Sequence, residues 1–110
     1  MSLVEINSAL RSLLINDEKI QTPGNCRYAA SKMFEVAANA DLTAPHVTIE
    51  VIAYPEAREG TEVHYALRVT SEDGDAIFNP TPTPGFPRYN GLLSVAPGLF
   101  QKMVVAPSIL

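Results

Sequence analysis

The sequence predicts an α+β domain in which N-terminal helices pack on a small antiparallel sheet, and three observations carry that reading. Apolar residues recur at helical spacing up to Ala40, they alternate with polar ones from Val47 onward, and a Ser-Glu-Asp-Gly turn separates two of the alternating runs. The 110 residues, 46% of them hydrophobic, suit one domain that buries roughly 60–70% of its unfolded surface. We divide that single domain, 1–110, into an N-terminal helix (1–20), a core (21–81) and a Pro-rich segment with C-terminal short strands (82–110).

Leu3, Ile6, Leu10, Leu13 and Leu14 return every three to four residues, so residues 3 to about 16 form an amphipathic helix with Glu5, Ser8, Arg11 and Ser12 toward water. The polar run Asn16-Asp17-Glu18-Lys19 ends it. Gln21-Thr22-Pro23-Gly24-Asn25 is a turn by composition, and it leads into helix formers from Cys26 to Ala40, with Asn25 as N-cap and Cys26 as the first helical residue. On that helix Cys26, Ala30, Met33, Ala37 and Ala40 share one face, where small side chains allow close approach to a sheet.

Val47 to Val51 and Val63 to Thr70 alternate apolar with polar and are expected as strands, joined by a charged loop from Pro55 to Gly60. The turn Ser71-Glu72-Asp73-Gly74-Asp75 sends the chain back as a third antiparallel strand, Ala76-Ile77-Phe78. Pro80, Pro82, Pro84, Gly85 and Pro87 then make a rigid extended segment that belongs on the surface or along an edge. Leu92 to Val95 and Met103 to Ala106 are expected as two short strands, limited by Pro97 and Pro107.

Charge and composition exclude several function classes. Twelve acidic and eight basic residues give a net charge of −4, and no cluster of Lys or Arg is long enough to track a phosphate backbone, so no nucleic acid partner is expected. No apolar run reaches the ~18–20 residues that span a bilayer, and Met1-Ser2-Leu3-Val4-Glu5 lacks the pattern of a signal peptide. No membrane association is expected. One cysteine and two histidines, His46 and His64, without close spacing do not make a metal site, and no cofactor is called for. A lone cysteine fits a reducing compartment and equally a domain of a larger secreted protein, so the localisation stays open between cytoplasmic and delivered effector.

The chemistry centres on Cys26. A thiol becomes a nucleophile when its thiolate is stabilised, and a helix N-terminus does this through its partial positive charge and unbonded N–H groups. Gly24 lets the chain turn tightly before it, and Arg27 adds positive potential. The blander role for a single cysteine is a buried, inert one. His64, near the start of a strand, is the candidate base, although regular alternation turns it with Ala66, Arg68 and Thr70, away from Val63, Tyr65, Leu67 and Val69. A bulge near the strand start, or a sheet covered on both faces, reconciles that direction with a buried site. His46, after Thr43-Ala44-Pro45, ranks second. To orient His64 the candidates are Asn79, which a hairpin around Asp73-Gly74 places beside it, and Asp75, which lies at the turn.

Gly24-Asn25-Cys26 opening a helix, His64-Tyr65-Ala66-Leu67-Arg68-Val69 as a strand, and Ala76-Ile77-Phe78-Asn79-Pro80-Thr81 ending another form an ordered set that resembles the papain-like and transglutaminase-like cysteine enzymes, including compact bacterial papain-fold toxin domains. The matching stretch covers roughly residues 21 to 81. The resemblance implies a papain-like core with a Cys26–His64–Asn79 triad: Cys26 as nucleophile, His64 as base and then acid, Asn79 orienting it. It implies an oxyanion site on the Cys26 backbone N–H, with Gln21 near the place of the papain-like oxyanion glutamine, one position closer to the cysteine. Transglutaminase-like domains usually carry an aromatic shortly after the His and an Asp before Pro-Thr, where this chain has Ala66 and Asn79. The implied activity is cysteine-dependent acyl transfer on protein or peptide amides, as protease, deamidase or transglutaminase, with an inhibitor or immunity partner if the chain is a toxin. The rival is a noncatalytic binding module that presents segment 80–89, with Phe86 and Tyr89, as a rigid contact surface.

Overall fold

The computed structural model describes residues 2–40, 47–59, 62–72 and 74–106. The architecture is α+β: helices α1 (Ser2–Asn16) and α2 (Cys26–Ala40), then strands β1 (Thr48–Glu59), β2 (Glu62–Ser71), β3 (Gly74–Asn79), β4 (Tyr89–Leu92) and β5 (Val104–Val105). The strands form one antiparallel sheet in the order β4-β3-β2-β1-β5. His46, the second-ranked base, lies outside the described residues, as do the Thr43-Ala44-Pro45 loop, Gly60, Asp73 and Pro107.

The helix expectations hold closely. α1 buries Leu10 and half-buries Leu13 against the core. A 3₁₀ turn, Glu18–Gln21, follows it, capped by the Asp17 carboxylate accepting from the Lys19 N–H at 3.0 Å. Gly24 takes φ +91°, a left-handed conformation that suits only glycine, and so lets the chain reverse directly before α2. The Asn25 carbonyl accepts the first helical bond, from Ala29 N–H at 2.8 Å, as an N-cap residue's carbonyl does, while the Asn25 amide donates back to the Lys19 carbonyl at 3.1 Å.

The sheet is covered on both faces. Ala30, Met33 and Ala37 of α2 pack on an inner face of Val51, Leu67, Val69, Ala76 and Phe78. Alternation sends Ile52, Tyr54, Ala66 and Ile77 to the outer face, where Ala57, Phe86 and Phe100 close a second core. The cover there is the chain after β3, which the sequence assigned to surface or edge. It crosses the face as a strap with Pro80, Thr81, Thr83 and Phe86 buried. Thr83 and Phe86 exchange both backbone bonds, at 3.1 and 2.8 Å, around Pro84-Gly85, and Gly85 at φ +74° fits the second central position of a type II turn.

Two further expectations change. The charged loop from Pro55 is instead strand: β1 continues to Glu59, and the β1–β2 register jumps from Tyr54↔His64 to Arg58↔Val63, so that Pro55, Glu56 and Ala57 bulge out. Proline lacks a ladder donor, and a bulge is where a strand tolerates that. The apolar patch Leu92 to Val95 is not a strand of its own; β4 ends at Leu92 and Leu93–Val95 winds into a 3₁₀ turn that stops before Pro97. The last expected strand, Met103 to Ala106, narrows to Val104–Val105, paired with Ala53 and Ile52. No described helix is long and apolar enough to cross a membrane.

Candidate active site

His64 lies two residues into β2, directly opposite Tyr54, at the point where the β1 bulge begins. Its ring is on the outer face, and the residue is fully buried, at 0% exposure. Of the two devices that reconcile this direction with a buried site, the one present is a second layer over the outer face; the bulge beside His64 lies in β1, and the alternation of β2 is unchanged. The side chain meets Phe86 at 5.3 Å between ring centroids and stacks toward Tyr54 at 6.4 Å.

His64 and Asn79 are brought together. The His64 Nε2 and Asn79 Oδ1 atoms are 2.5 Å apart, and Asn79 is also 0% exposed. The orientation of the Asn79 amide follows from its other partner: its Nδ2 donates to the Pro87 carbonyl at 2.9 Å, and a carbonyl can only accept. The amide oxygen must then face His64, and since that oxygen also only accepts, Nε2 carries the proton. In the neutral ring the lone pair is left on Nδ1. Asn79 thus fixes both the rotamer and the tautomer of His64.

The surroundings of this bond are aromatic. Phe86 lies 4.7 Å from Tyr54 and 4.5 Å from Phe100, centroid to centroid, so the pair sits under a closed group of rings. A hydrogen bond held away from water is electrostatically stronger than an exposed one. Burial pushes the Tyr54 phenol far above its ordinary value, a rise that the nearby Arg68 charge only partly offsets, so Tyr54 stays protonated and acts as an apolar wall. Arg68 is held in turn by Glu50, its cross-strand neighbour, with Nη2–Oε1 at 2.7 Å.

Cys26 is the first residue of α2 and is buried, at 3% exposure. A continuous set of bonds ties its end of the helix to the His64–Asn79 end of the sheet. The Asn25 amide holds Lys19 of the 3₁₀ turn, the buried Thr81 hydroxyl donates to the Ile20 carbonyl, and Arg88 donates through Nε to Pro80 O at 3.0 Å and through Nη2 to Gln21 O at 3.3 Å. Among the described residues the β2–β3 pairing ends at Leu67↔Phe78, one position before Asn79. From that end of β3, Pro80 and Thr81 reach the segment that leads into Cys26.

The remaining sequence candidates fall elsewhere. Asp75 pairs with Thr70 near the hairpin turn, at the opposite end of β3 from Asn79, and the partner of His64 is Asn79. The Gln21 amide is turned to α1, donating to the Leu14 carbonyl at 2.6 Å. Phe86, expected on an exposed contact surface, is 6% exposed and roofs His64 instead. Tyr89 is half-buried, its ring 5.2 Å from Phe100 and its hydroxyl donating to the Leu92 carbonyl. Sequence reasoning does not single out Tyr54, Thr81 or Arg88 and sets Phe86 on an exposed surface, because the proline-rich stretch around it has no periodicity to show which way the ring faces. Among the described residues, no group of His, Cys, Asp and Glu could hold a metal ion. No family model, curated protein or solved structure matches the chain.

Proposed function

We propose that this chain is a cysteine-dependent acyl-transfer enzyme acting on protein or peptide amide groups, with Cys26 as nucleophile, His64 as base and then acid, and Asn79 orienting His64. The observation that carries the reading is the buried His64–Asn79 pair, whose geometry puts the proton on Nε2 and leaves Nδ1 as the atom for proton transfer. Cys26 at the start of a fifteen-residue helix supports it, because that position favours a thiolate. The order of a cysteine-headed helix, a His strand and an Asn strand in an α+β domain is that of a papain-like or transglutaminase-like core, and we assign the fold to that superfamily as part of the same proposal.

In the first half-reaction His64 Nδ1 takes the thiol proton and the Cys26 sulfur bonds to the amide carbon, moving the carbonyl π pair onto oxygen. The Cys26 backbone N–H, which lies in the first turn of α2, is the donor for that oxyanion. The C=O bond then re-forms, the C–N bond breaks, and the leaving amine or ammonia takes the proton from His64, leaving a thioester. In the second half-reaction His64 accepts a proton from the incoming water or amine as it attacks the thioester, and the sulfur departs as thiolate. Water makes the enzyme a protease or a glutamine deamidase; an amine makes it a transglutaminase. A bacterial effector or toxin acting on a host or rival protein, with a dedicated inhibitor as partner, is the setting that a domain of 110 residues fits best.

The test is thiol reactivity. Near neutral pH, iodoacetamide is expected to alkylate Cys26 much faster than it alkylates N-acetylcysteine, and His64→Ala is expected to remove that advantage. Equal rates for the wild-type protein and the model thiol would end the enzyme reading.

A further inference from the structure

The bonds that join the 3₁₀ turn before α2 to the chain after β3 have no counterpart in the proposed chemistry, and they are made by two side chains. Thr81, buried, reaches Ile20, and Arg88 bridges Pro80 and Gln21. Both acceptors on the helix side, Ile20 and Gln21, belong to the 3₁₀ turn that Asn25 also grips through Lys19. Both anchors on the sheet side, Pro80 and Thr81, follow Asn79 directly.

We infer that Arg88 and Thr81 form a clasp that sets the Cys26 end of α2 in register with the His64–Asn79 pair, so that Arg88 is a positioning residue for the reaction. The inference rests on the cysteine-enzyme reading and adds to it the element that joins its two halves. The nucleophile and its base come from separate layers, a helix on the inner face and a strand whose ring lies on the outer face. The α2–inner-face core holds the middle of the helix, at Ala30, Met33 and Ala37, while the first turn buries Cys26 and Ala29 and donates from the Tyr28 hydroxyl to the Asp17 carboxylate at 2.7 Å. The clasp adds a tie from the sheet side to the span that leads into the helix, where Pro23, Gly24 and Asn25 are not buried. It joins Asn79's neighbours to that span through Ile20, Gln21 and the Asn25–Lys19 bond.

The guanidinium is suited to this role. Its donors are held in a rigid plane, so the Nε bond to Pro80 and the Nη2 bond to Gln21 set the separation of the two carbonyls as well as joining them. Arg88 is itself exposed, so its bonds contribute little to global stability, while a displacement of about 1 Å between reacting groups lowers a rate on the order of 10²-fold. A reactivity loss out of proportion to the stability loss is therefore the mark of the clasp.

The experiment compares the pH profile of Cys26 alkylation by iodoacetamide in the wild-type protein and in Arg88→Ala, Arg88→Lys and Thr81→Val, together with the His64 Nε2–H proton resonance of each. Arg88→Ala is expected to slow alkylation at neutral pH by about tenfold or more and to move the rising limb of the profile toward the ordinary thiol value of about 8.5, while the His64 resonance stays in place. Arg88→Lys, with a single point of donation, is expected to fall between. Should Arg88→Ala fail to fold, Thr81→Val, which keeps the side-chain volume and removes the hydroxyl, decides by the same two readouts. A wild-type profile that is steep and low, retained unchanged in the folded variants, overturns the clasp and leaves the cysteine reading standing. A wild-type profile no different from N-acetylcysteine overturns the reading beneath it.

Discussion

Replacement of Phe86 by alanine is expected to destabilise the protein by about 3–5 kcal/mol, the range for removing a large buried aromatic side chain. Phe86 is where the strap meets the sheet. Its ring touches those of His64, Tyr54 and Phe100, with centroids 5.3, 4.7 and 4.5 Å away. Its place is set by the Pro84-Gly85 turn, so neighbouring rings cannot easily collapse into the space it leaves, and the loss falls toward the upper end for that reason. Against a typical domain stability of about 5–15 kcal/mol this is a large fraction. Water is then expected at the His64–Asn79 bond, and the His64 Nε2–H proton should exchange with solvent much faster than in the wild type. Phe86→Leu keeps most of the apolar cover and separates the two effects: it is expected to retain the slow proton at a smaller loss of stability. A loss below about 1 kcal/mol for Phe86→Ala, with the proton resonance unmoved, would contradict the packing described here.

Asn79→Ala is expected to have the largest effect on reactivity. The alanine takes away the acceptor of the His64 Nε2–H, a buried donor, at about 1–3 kcal/mol of stability. It also removes the group that selects the tautomer, so the proton can move to Nδ1 and the base is lost for the fraction of molecules in that form. Loss of a correctly presented general base lowers rates by about 10²–10⁴-fold, and that is the expected fall in acyl transfer. Asn79→Asp supplies an acceptor to Nε2 but turns a second acceptor toward the Pro87 carbonyl, and it should keep activity between the two. Cys26 alkylation unchanged in a folded Asn79→Ala protein would remove Asn79 from the proposed site.

The parts of the fold that were legible in the sequence are those where one period ran uninterrupted. α1 and α2 follow from apolar spacing and the Gly24-Asn25 break, and β2 and β3 from alternation and the Gly74 turn. The His64–Asn79 contact was legible because the hairpin turn brings the open ends of β2 and β3 together: the register that pairs Leu67 with Phe78 carries Asn79 toward Ala66, and His64, two positions on, shares that face. The β1 bulge was not legible because Pro55, Glu56 and Arg58 look like a loop by composition, and only the cross-strand register reveals that the ladder resumes beyond them. The role of Phe86 was hidden for a related reason. A proline-rich segment carries no periodicity, so nothing local tells whether an aromatic within it faces solvent or a neighbouring layer. Arg88 and Thr81 act on backbone carbonyls some sixty residues away, and carbonyls leave no mark on sequence.

The direction of His64 also bears on the mechanism. Alternation alone turned its ring away from the helix that carries Cys26, and the structure keeps that direction while enclosing the ring beneath Phe86 and Tyr54. The inner core therefore supports the helix, the outer core supports the imidazole, and the joint between them falls at the Asn79 end of β3 together with the strap. In this arrangement the packing of each half can tolerate change independently, whereas alterations at the joint should affect reactivity first.

The most direct test of the central claim is the ultraviolet thiolate absorbance of Cys26 as a function of pH, in the wild-type protein and in His64→Ala. In the wild type the thiolate is expected to form well below the ordinary cysteine value of about 8.5, because the imidazolium and the helix start both stabilise it, and in His64→Ala its formation should move up toward that value. A thiolate that forms only at or above about 8.5 in both proteins would contradict the account.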